Sequence, residues 1–480
     1  MATRNWTRVI RLSDRRVRAF ILMLVAAVVL SGCSGKGVEF GGSQTNSVPV
    51  TLSMTDTPPA GVSVLSFQAT LTGASLNPGN ESLLAAPVAI DLTRLQTETS
   101  LVTSANVPPG IYTAITLTFA SPASLTIQNN SGATLTDGVT NCLNGQVCTL
   151  APALTSVTGS ISLPGAGATL TANTAAALLV DINVENALAN TPPLQASLIA
   201  NATASELTPA QGAPFETVED LVGVVSAPSS SAFTLQTPLG NYNVTANSST
   251  QFLNFPSGAC TFTCIVAGQI VSVNMSLLSS NTLVASDIFF EDAGTTLPEI
   301  EGVVVGTSSL PAQFSMVVVQ ETPAGSGFVI GREVTVDLNA TPFAVDDIVG
   351  STGTAAYTFS ASEMIVGQEV QVQEGAGSTS SVIKASRVLL RSSEITATVL
   401  NTTLPNFTVN GLPPFFPNAS PAISQMVVVT SATFTPNGTE FGGTAISDTQ
   451  IVDGKSVSLR GQLFANNGNP TLVASRVVQH

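Results

Sequence analysis

The chain has 480 residues, of which 44% are hydrophobic and only 9% are charged, and its formal net charge is −15. Six of its fifteen basic residues lie in the first 18 positions beside one acid, so the rest carries nine basic and 29 acidic residues, a net charge of −20. A chain this acidic repels phosphate backbones, which argues against a nucleic-acid partner.

The length accommodates three or four domains, because one hydrophobic core usually serves about 100–200 residues. Thr, Ser, Ala, Val, Gly and Asn dominate the composition, and long helix-forming runs of Glu, Lys and Leu are absent. This composition favours strands and turns, so we predict an all-β protein built from several units.

The N-terminal segment predicts export. Twelve uncharged residues, 19–30, follow an arginine-rich leader, and they are too few to span a bilayer. The sequence LSGC at 30–33 resembles a bacterial lipobox, which implies cleavage before Cys33 and lipidation of its side chain. Residues 1–33 are therefore predicted to be a lipoprotein signal peptide ending in that Cys, and the Gly/Ser-rich residues 34–47 a flexible tether.

The lipobox resemblance implies a protein held by lipid in the bacterial cell envelope. An acidic surface does not adsorb to anionic lipid, so attachment is expected to rest on the acyl chains carried by Cys33. Ser34 stands where an Asp favours retention in the inner membrane of some bacteria, so the resemblance points to the outer membrane.

Four further cysteines form two close pairs, Cys142 with Cys148 and Cys260 with Cys264. In an exported protein such pairs predict disulfides. An Asn-Gly dipeptide inside the first pair is a hairpin-turn signal, so we expect that disulfide to close a hairpin tip. Neither spacing is that of a zinc site and the chain has a single His, His480, so no metal and no cofactor are predicted.

Residues 48–207 show the period-two alternation of half-buried strands. A run at 111–119 alternates in the same way, which places Tyr112 off the apolar face and predicts that it is exposed. A run at 178–184 follows an Ala-rich segment typical of helices, but its period of two predicts a strand. The apolar positions of the first two strands are Val48, Val50, Leu52 and Met54, then Leu65, Phe67, Ala69 and Leu71.

The segments VTLSMTDTPPAGVSVLSFQATLTGASLNP (50–78) and AIDLTRLQTETSLVTSANVPPGIYTAITLTF (89–119) resemble the bacterial family called domain of unknown function 4382. The resemblance covers about residues 48–207 and implies a β-sandwich of an exported lipoprotein. The stretch from Cys142 to Cys148 departs from it, and we predict an extra hairpin there. The family has no established activity, so the resemblance implies an architecture and no mechanism.

Residues 208–218 hold two Pro and one Gly without periodicity and are predicted to be a linker. Beyond them a pattern recurs three times: a Val-rich opening strand, a Gly before a second Val run, and an Ala-Ser dipeptide in a closing strand. It predicts repeats over 219–292, 299–391 and 393–480. The spacings from the Gly to the Ala are 17, 18 and 20 residues, for Gly268–Ala285, Gly367–Ala385 and Gly454–Ala474.

Each repeat contains five or six short predicted strands, and so small a sheet best hides its edges by closing into a barrel. The segment GVVSAPSSSAFTLQTPLGNYNVTANSSTQF (223–252) resembles the family called domain of unknown function 5666, and such barrels resemble the oligonucleotide/oligosaccharide-binding (OB) fold. Fold likeness alone transfers no ligand. The predicted fold is therefore all-β, with a β-sandwich followed by three small OB-like β-barrel repeats after the signal peptide.

No motif in the chain predicts catalysis, because Ser-His-Asp and Cys-His arrangements need an internal His. Ser381 and Lys384 match the S-x-x-K pattern of penicillin-recognising enzymes, but the repeat places them on a closing strand. Three acidic groups lack the spacing of a calcium loop and lie near repeat boundaries, so we predict solvated charges there. These groups are Glu216, Glu219 and Asp220; Glu291, Asp292, Glu299 and Glu301; and Asp346 and Asp347.

The preferred interpretation is a non-catalytic, lipid-anchored envelope protein with a structural or protein-interaction role, in which three barrels are strung outward from the sandwich. The alternative is a module that binds envelope polysaccharide. The exported part has no Trp and only Tyr112, Tyr242 and Tyr357 as tyrosines, which weakens sugar stacking. A third hypothesis, a carboxylate- or calcium-dependent hydrolase, requires acids from distant segments to converge in one pocket.

Overall fold

The computed structural model describes residues 47–479 apart from short gaps, and these residues belong to one compact unit, Val38–His480. The described secondary structure consists of strands and the single-turn 3-10 helices Leu92–Leu95, Phe262–Cys264, Ala361–Glu363 and Asn466–Gly468. None of these described helices has the length and apolar character needed to cross a membrane. The gaps are 57–62, 96–99, 185–187, 190–192, 208–214, 238–239, 257–259, 279, 281, 293–297, 323–324, 326, 340, 346–356, 404–405 and 431–450.

The described residues of the N-terminal part contain eighteen strands. They are β1 Val48–Asp56, β2 Ser63–Asn77, β3 Glu81–Ser82, β4 Val88–Asp91, β5 Ser100–Val107, β6 Gly110–Tyr112, β7 Ala114–Phe119, β8 Ser124–Gln128, β9 Leu135–Thr136, β10 Asn141–Cys142, β11 Val147–Leu150, β12 Ala153–Leu154, β13 Thr158–Ser162, β14 Ala168–Leu170, β15 Ala176–Ile182, β16 Leu188–Ala189, β17 Gln195–Ala196 and β18 Thr203–Leu207.

Two sheets of this part pack face to face, in the orders β18-β15-β1-β5 and β11-β8-β2-β7-β13. Their alternating apolar residues form one core, in which Met54, Phe67, Leu117 and Leu178 are fully buried. The Ala-rich segment is strand β15, because parallel pairing with β1 and burial outweigh helix propensity. The predicted β-sandwich is confirmed.

The prediction that Tyr112 is exposed is wrong. The alternation breaks at Thr113, between β6 and β7, and β6 pairs with β14 in a separate two-stranded sheet. Tyr112 therefore turns into the core with 5% exposure and donates its hydroxyl to the Pro108 carbonyl at 2.9 Å, while Ile111 is 56% exposed. A break of one residue exchanges the two faces of a strand.

Both cysteine pairs form disulfides, Cys142–Cys148 and Cys260–Cys264. The Asn-Gly dipeptide of the first loop is a turn, with Gly145 at φ 84°. The strands on either side of it do not pair with each other as expected for a hairpin, because β10 pairs with β9 and β11 pairs with β8. The disulfide thus links two different strand pairs.

In the C-terminal part, the residues that the structure describes form seventeen strands. Barrel 1 contains β19 Glu216–Ser226, β20 Ala232–Thr237, β21 Gly240–Thr245, β22 Gln251–Leu253, β23 Ile270–Leu277 and β24 Leu283–Asp292; barrel 2 contains β25 Glu299–Gly306, β26 Gln313–Thr322, β27 Glu333–Leu338, β28 Phe343–Val345, β29 Glu369–Glu374 and β30 Val382–Leu390; barrel 3 contains β31 Ser392–Thr403, β32 Asn406–Asn410, β33 Met426–Val429, β34 Ser456–Phe464 and β35 Thr471–Gln479.

Each barrel closes five strands, in the orders β19-β20-β21-β24-β23, β25-β26-β27-β30-β29 and β31-β32-β33-β35-β34. In barrels 1 and 2 a sixth, short strand pairs with the last strand: β22 with β24 and β28 with β30. In all three, the third strand runs parallel to the last: β21 with β24, β27 with β30 and β33 with β35. Closure leaves the five strands without a free edge. The predicted all-β fold with three OB-like barrel repeats is confirmed.

Barrels 1 and 2 share a side-chain detail at the turn that contains the recurring Gly of the repeat pattern. Gln269 accepts the Val266 N–H at 2.8 Å and donates to the Cys264 carbonyl at 3.1 Å. Gln368 makes the corresponding two contacts in barrel 2 at the same distances. The same residue type therefore braces the same turn in both repeats.

The barrels are not strung outward, because each one contacts the sandwich or another barrel through buried groups. Sequence alternation assigns residues to the faces of a sheet, but it does not say which domain covers the outer face. Leu101 of the sandwich lies in the core of barrel 1, and Phe464 and Val473 of barrel 3 lie in the core of barrel 2. The described part of the chain is thus one body with shared cores.

Candidate functional site

Several predicted site residues lie outside the described residues: Cys33, Asp346 and Asp347, and the side chains of Glu216, Glu219, Asp220 and Asp292. Ser381 is exposed at the start of the closing strand of barrel 2, and Lys384 forms an exposed ion pair with Asp337 at 3.4 Å. Their placement on a surface strand gives no support to a penicillin-recognising site.

The prediction of solvated charge at Glu291, Glu299 and Glu301 is wrong. These side chains are 2%, 2% and 4% exposed, because the repeat boundaries at which they lie are packed against neighbouring domains. Burying a carboxylate is costly unless it is paired, and each of the three meets an arginine. The acids therefore belong to a buried network at the domain junction.

Arg391 is the centre of this junction network. It lies between the last strand of barrel 2 and the first strand of barrel 3, and its side chain is fully buried. Its Nη1 pairs with Glu291 Oε1 at the end of barrel 1, and its Nε lies 3.8 Å from Glu301 Oε1 in barrel 2. One guanidinium thus contacts the last strand of barrel 1 and the first strand of barrel 2, and it lies directly before the first strand of barrel 3.

The sandwich contributes Arg94 to the network. Asp91 ends β4 and accepts the Thr93 N–H at 3.1 Å, which caps the single-turn helix that carries Arg94. Arg94 Nη2 lies 3.3 Å from Glu301 Oε1 and 3.5 Å from Glu369 Oε1. The local turn therefore places a cation of the sandwich between two carboxyl groups of barrel 2.

Two further pairs extend the network. Arg387 Nη2 lies 3.1 Å from Glu299 Oε1 and donates to the Glu291 carbonyl at the same distance. In barrel 3, Arg460 Nη1 lies 3.3 Å from Glu394 Oε1 on the neighbouring strand. All four domains therefore supply charges to the junction.

The network uses most of the basic residues that follow position 18. Its five arginines are more than half of the nine basic residues in that part of the sequence. Every cation of the network is an arginine and none is a lysine, which agrees with the preference for the planar guanidinium in buried pairs. The arginines are Arg94, Arg387, Arg391, Arg460 and Arg476, and the acids are Glu291, Glu299, Glu301, Glu369 and Glu394.

The environment shifts the pKa values of two neighbouring carboxyl groups in opposite directions. Burial acts to raise the pKa of Glu301, but the guanidinium groups of Arg94 and Arg391 outweigh it and hold the pKa below its ordinary value. Burial raises the pKa of Glu369 well above its ordinary value; Arg94 acts against this, whereas Glu301 adds to it. As pH rises, we therefore expect Glu301 to lose its proton before Glu369 does.

An apolar contact joins barrels 2 and 3 beside the network. Val366 precedes Gly367 in the recurring turn of barrel 2; it is 8% exposed and lies in the core of barrel 3 with Phe416. The ring of Phe464 from barrel 3 stacks on Tyr357 of barrel 2, with centroids 5.0 Å apart. Each of these two barrels thus inserts side chains into the other.

Hydrogen bonds attach each barrel to the sandwich. They run from Tyr242 Oη to the Leu101 carbonyl at 2.6 Å, from Thr126 Oγ1 and Thr149 Oγ1 to the Gly331 carbonyl at 2.6 and 2.9 Å, and from the Phe415 N–H to Ser63 Oγ at 2.9 Å.

The arrangement supplies charge pairing and rigidity. Among the described residues, no group of three His, Cys, Asp or Glu side chains is placed to hold a metal ion. A shallow depression on barrel 1 is lined by Leu253, Ser272, Asn274, Asp287 and Phe289.

Sequence reasoning missed the arginines, although a signal was present. Counting six residues from the Ala of each closing dipeptide reaches Glu291 in repeat 1 and Arg391 in repeat 2. These equivalent positions carry opposite charges, and the two side chains pair with each other. Comparing charges between aligned repeats would have singled out the pair.

Replacing Tyr242 by phenylalanine is expected to destabilise the protein by about 1–2 kcal/mol, because the buried carbonyl of Leu101 loses its donor. Urea denaturation of both proteins measures the loss. Tyr357→Phe is the matched control, since Tyr357 is only partly buried, and it should change stability by less than about 0.5 kcal/mol. Equal effects of the two substitutions would contradict the assignment.

Comparison with known proteins gives one family match. Residues 47–198 match the model of a family described as a domain of unknown function, DUF4382. No curated protein matches the chain. Among solved structures, a chain described as Drosophila Unr CSD456 is 9% identical over 55% of this chain and 97% of its own. The TM-score of this match is 0.12, which is too low to support a structural relationship.

Proposed function

We propose that the protein is a lipid-anchored, non-catalytic component of the bacterial cell envelope that acts as a rigid structural or protein-interaction body. The observation that carries the proposal is the buried arginine–glutamate network, to which the sandwich and all three barrels contribute. Such a network favours a single arrangement of the four domains, which suits a body that holds a fixed shape at a surface.

The proposed location rests on the lipobox at 30–33 and the tether at 34–47. The family match at 47–198 agrees with an exported lipoprotein, the setting in which the resembling family occurs. We also assign the three barrels to the family called domain of unknown function 5666, on their recurring sequence pattern and their common strand order.

Replacing Cys33 by serine is expected to abolish membrane attachment, because the acyl chains have no other site in the lipobox. Metabolic labelling with a radioactive fatty acid and membrane fractionation measure the effect. Ser31→Ala is the matched control, since it keeps a small residue in the motif, and it should leave labelling unchanged. Full membrane recovery of C33S would overturn the proposed anchor.

A second test addresses the non-catalytic role. Thermal melts of residues 34–480, with calcium, with EDTA and with envelope polysaccharides, compare the proposal with its alternatives. Binding to the native state alone raises stability by about 2.7 kcal/mol at a hundredfold excess over Kd. The proposal predicts no shift with any of them, and a reproducible shift with one polysaccharide would replace it by the binding-module hypothesis.

A further inference from the structure

Two carboxyl groups of the junction network lie beside the same cation of the sandwich. Glu301 on β25 and Glu369 on β29 lie on neighbouring antiparallel strands, in a register where Glu369 opposes Val303. Both carboxyl groups place an oxygen beside the same nitrogen, Arg94 Nη2, and when two buried carboxyl groups share one cation, a proton on one of them relieves their repulsion. The two residues are 4% and 7% exposed, so water screens neither group well.

A single nitrogen of the sandwich meets both carboxyl groups. Arg94 Nη2 lies within 3.5 Å of an oxygen of each, and Arg94 Nη1 donates to Gln320 of barrel 2 at 2.9 Å. The attraction between the sandwich and barrel 2 therefore depends on the charge that the pair carries.

Other charged groups face the pair from the surrounding elements. Arg391, between barrels 2 and 3, faces Glu301, and Glu394 on the first strand of barrel 3 faces Glu369. Arg460 on the same barrel lies near Arg94, and the two cations repel each other. The charges around the pair are thus balanced only within a narrow set of protonation states.

We propose that Glu301, Glu369 and Arg94 form a proton-dependent latch between the sandwich and barrel 2, which holds while the carboxyl pair carries one proton. A second proton removes the anion that Arg94 meets. Loss of the last proton leaves two buried anions side by side, with Glu394 as a third nearby. Either change favours hydration of the junction and separation of the two domains. The latch is independent of the proposed lipid anchor.

The direction of each shift gives the pH window. The pKa of Glu301 is lower in the folded state than in the unfolded state. Its contribution to stability is therefore fully present above the unfolded-state pKa, and it is lost as pH falls through the folded-state pKa. The pKa of Glu369 is higher in the folded state than in the unfolded state. Its contribution to stability is therefore fully present below the unfolded-state pKa, and it is lost as pH rises through the folded-state pKa. The latch is expected to hold between the two folded values and to open on both sides.

Hydrogen exchange of residues 34–480, with both disulfides formed, tests the latch between about pH 3 and about pH 9, after correction for intrinsic exchange. Residues 92–95 and 327–332 report local opening, since they carry the Arg94 turn and the Gly331 contact with the sandwich. Strand β1, in the sandwich core, reports global unfolding. We expect the two junction segments to exchange about tenfold faster at both extremes while β1 stays protected.

Glu369→Gln and Glu301→Gln separate the two sides of the window. The E369Q protein cannot form the second anion, so it should stay closed at alkaline pH and still open in acid. The E301Q protein keeps Glu369 as its anion for Arg94, so it should open in acid at a higher pH than the parent, because the pKa of Glu369 is the higher of the two, and it should lack the alkaline opening. Glu374→Gln, on the same strand but partly exposed, is the matched control and should behave like the parent protein.

Three results would overturn the latch. The first is junction exchange that does not change with pH in the parent protein. The second is an E369Q protein that opens at alkaline pH as the parent does, a result that stands even if E301Q fails to fold. The third is loss of protection in β1 together with the junction, which would mean global unfolding instead of local release.

Discussion

Arg391→Met is expected to destabilise the protein by about 3–5 kcal/mol, because it leaves Glu291 buried without the guanidinium that faces it and removes one of the cations beside Glu301. Breaking a buried pair costs more than the pair contributes, since the remaining charge keeps its desolvation penalty. Urea denaturation measured by circular dichroism gives the change in free energy of unfolding.

Lys384→Met is the matched control, because it removes a cation from an ion pair in which Lys384 is 52% exposed. It should cost less than about 1 kcal/mol. Replacing both Glu291 and Arg391 by methionine should recover most of the loss, since no uncompensated charge stays behind at that pair. Equal losses for Arg391→Met and Lys384→Met would mean that the junction is hydrated.

Gly367→Ala is expected to cost about 1–3 kcal/mol more than the same change at the equivalent turns of the other barrels. A Cβ at Gly367 would overlap the ring of Phe416 in barrel 3, whereas a Cβ at Gly268 or Gly454 has nothing within 4 Å. The substitution therefore forces barrels 2 and 3 apart at the turn that joins them.

Gly268→Ala and Gly454→Ala are unusually close controls. The three glycines have φ values of 91°, 84° and 81° in chain order, so all three variants share the left-handed backbone strain of about 1–2 kcal/mol. The difference between them isolates the contact with Phe416. Thermal melts of the three variants measure it, and three equal losses would contradict the docking of barrel 2 on barrel 3.

The architecture was predictable because local pattern and fold agree. Val48, Val50, Leu52 and Met54 alternate in the sequence, and all four are fully buried on the inner face of β1. The recurring Gly and Ala-Ser positions predicted three repeats, and three closed barrels are present. Periodicity of two and turn chemistry act within a few residues, so they can be read without tertiary structure.

The candidate site was not predictable in the same way. Glu291, Glu299 and Glu301 have the composition of a solvated boundary, and only the packing of four domains turns that boundary into an interior. Arg94 and Glu369 are 275 positions apart in the chain and meet at 3.5 Å. No local pattern connects them, because the contact is made by docking between completed domains.

The sequence alone determined the all-β class, the strand faces, the cysteine pairs and the threefold repeat, since each follows from residue spacing over one strand or one turn. Tertiary structure alone decided which outer faces are covered, and therefore that the barrels pack together instead of extending outward. It also decided that scarce arginines and glutamates meet in the interior, because burial and pKa depend on neighbours that the order of residues does not specify.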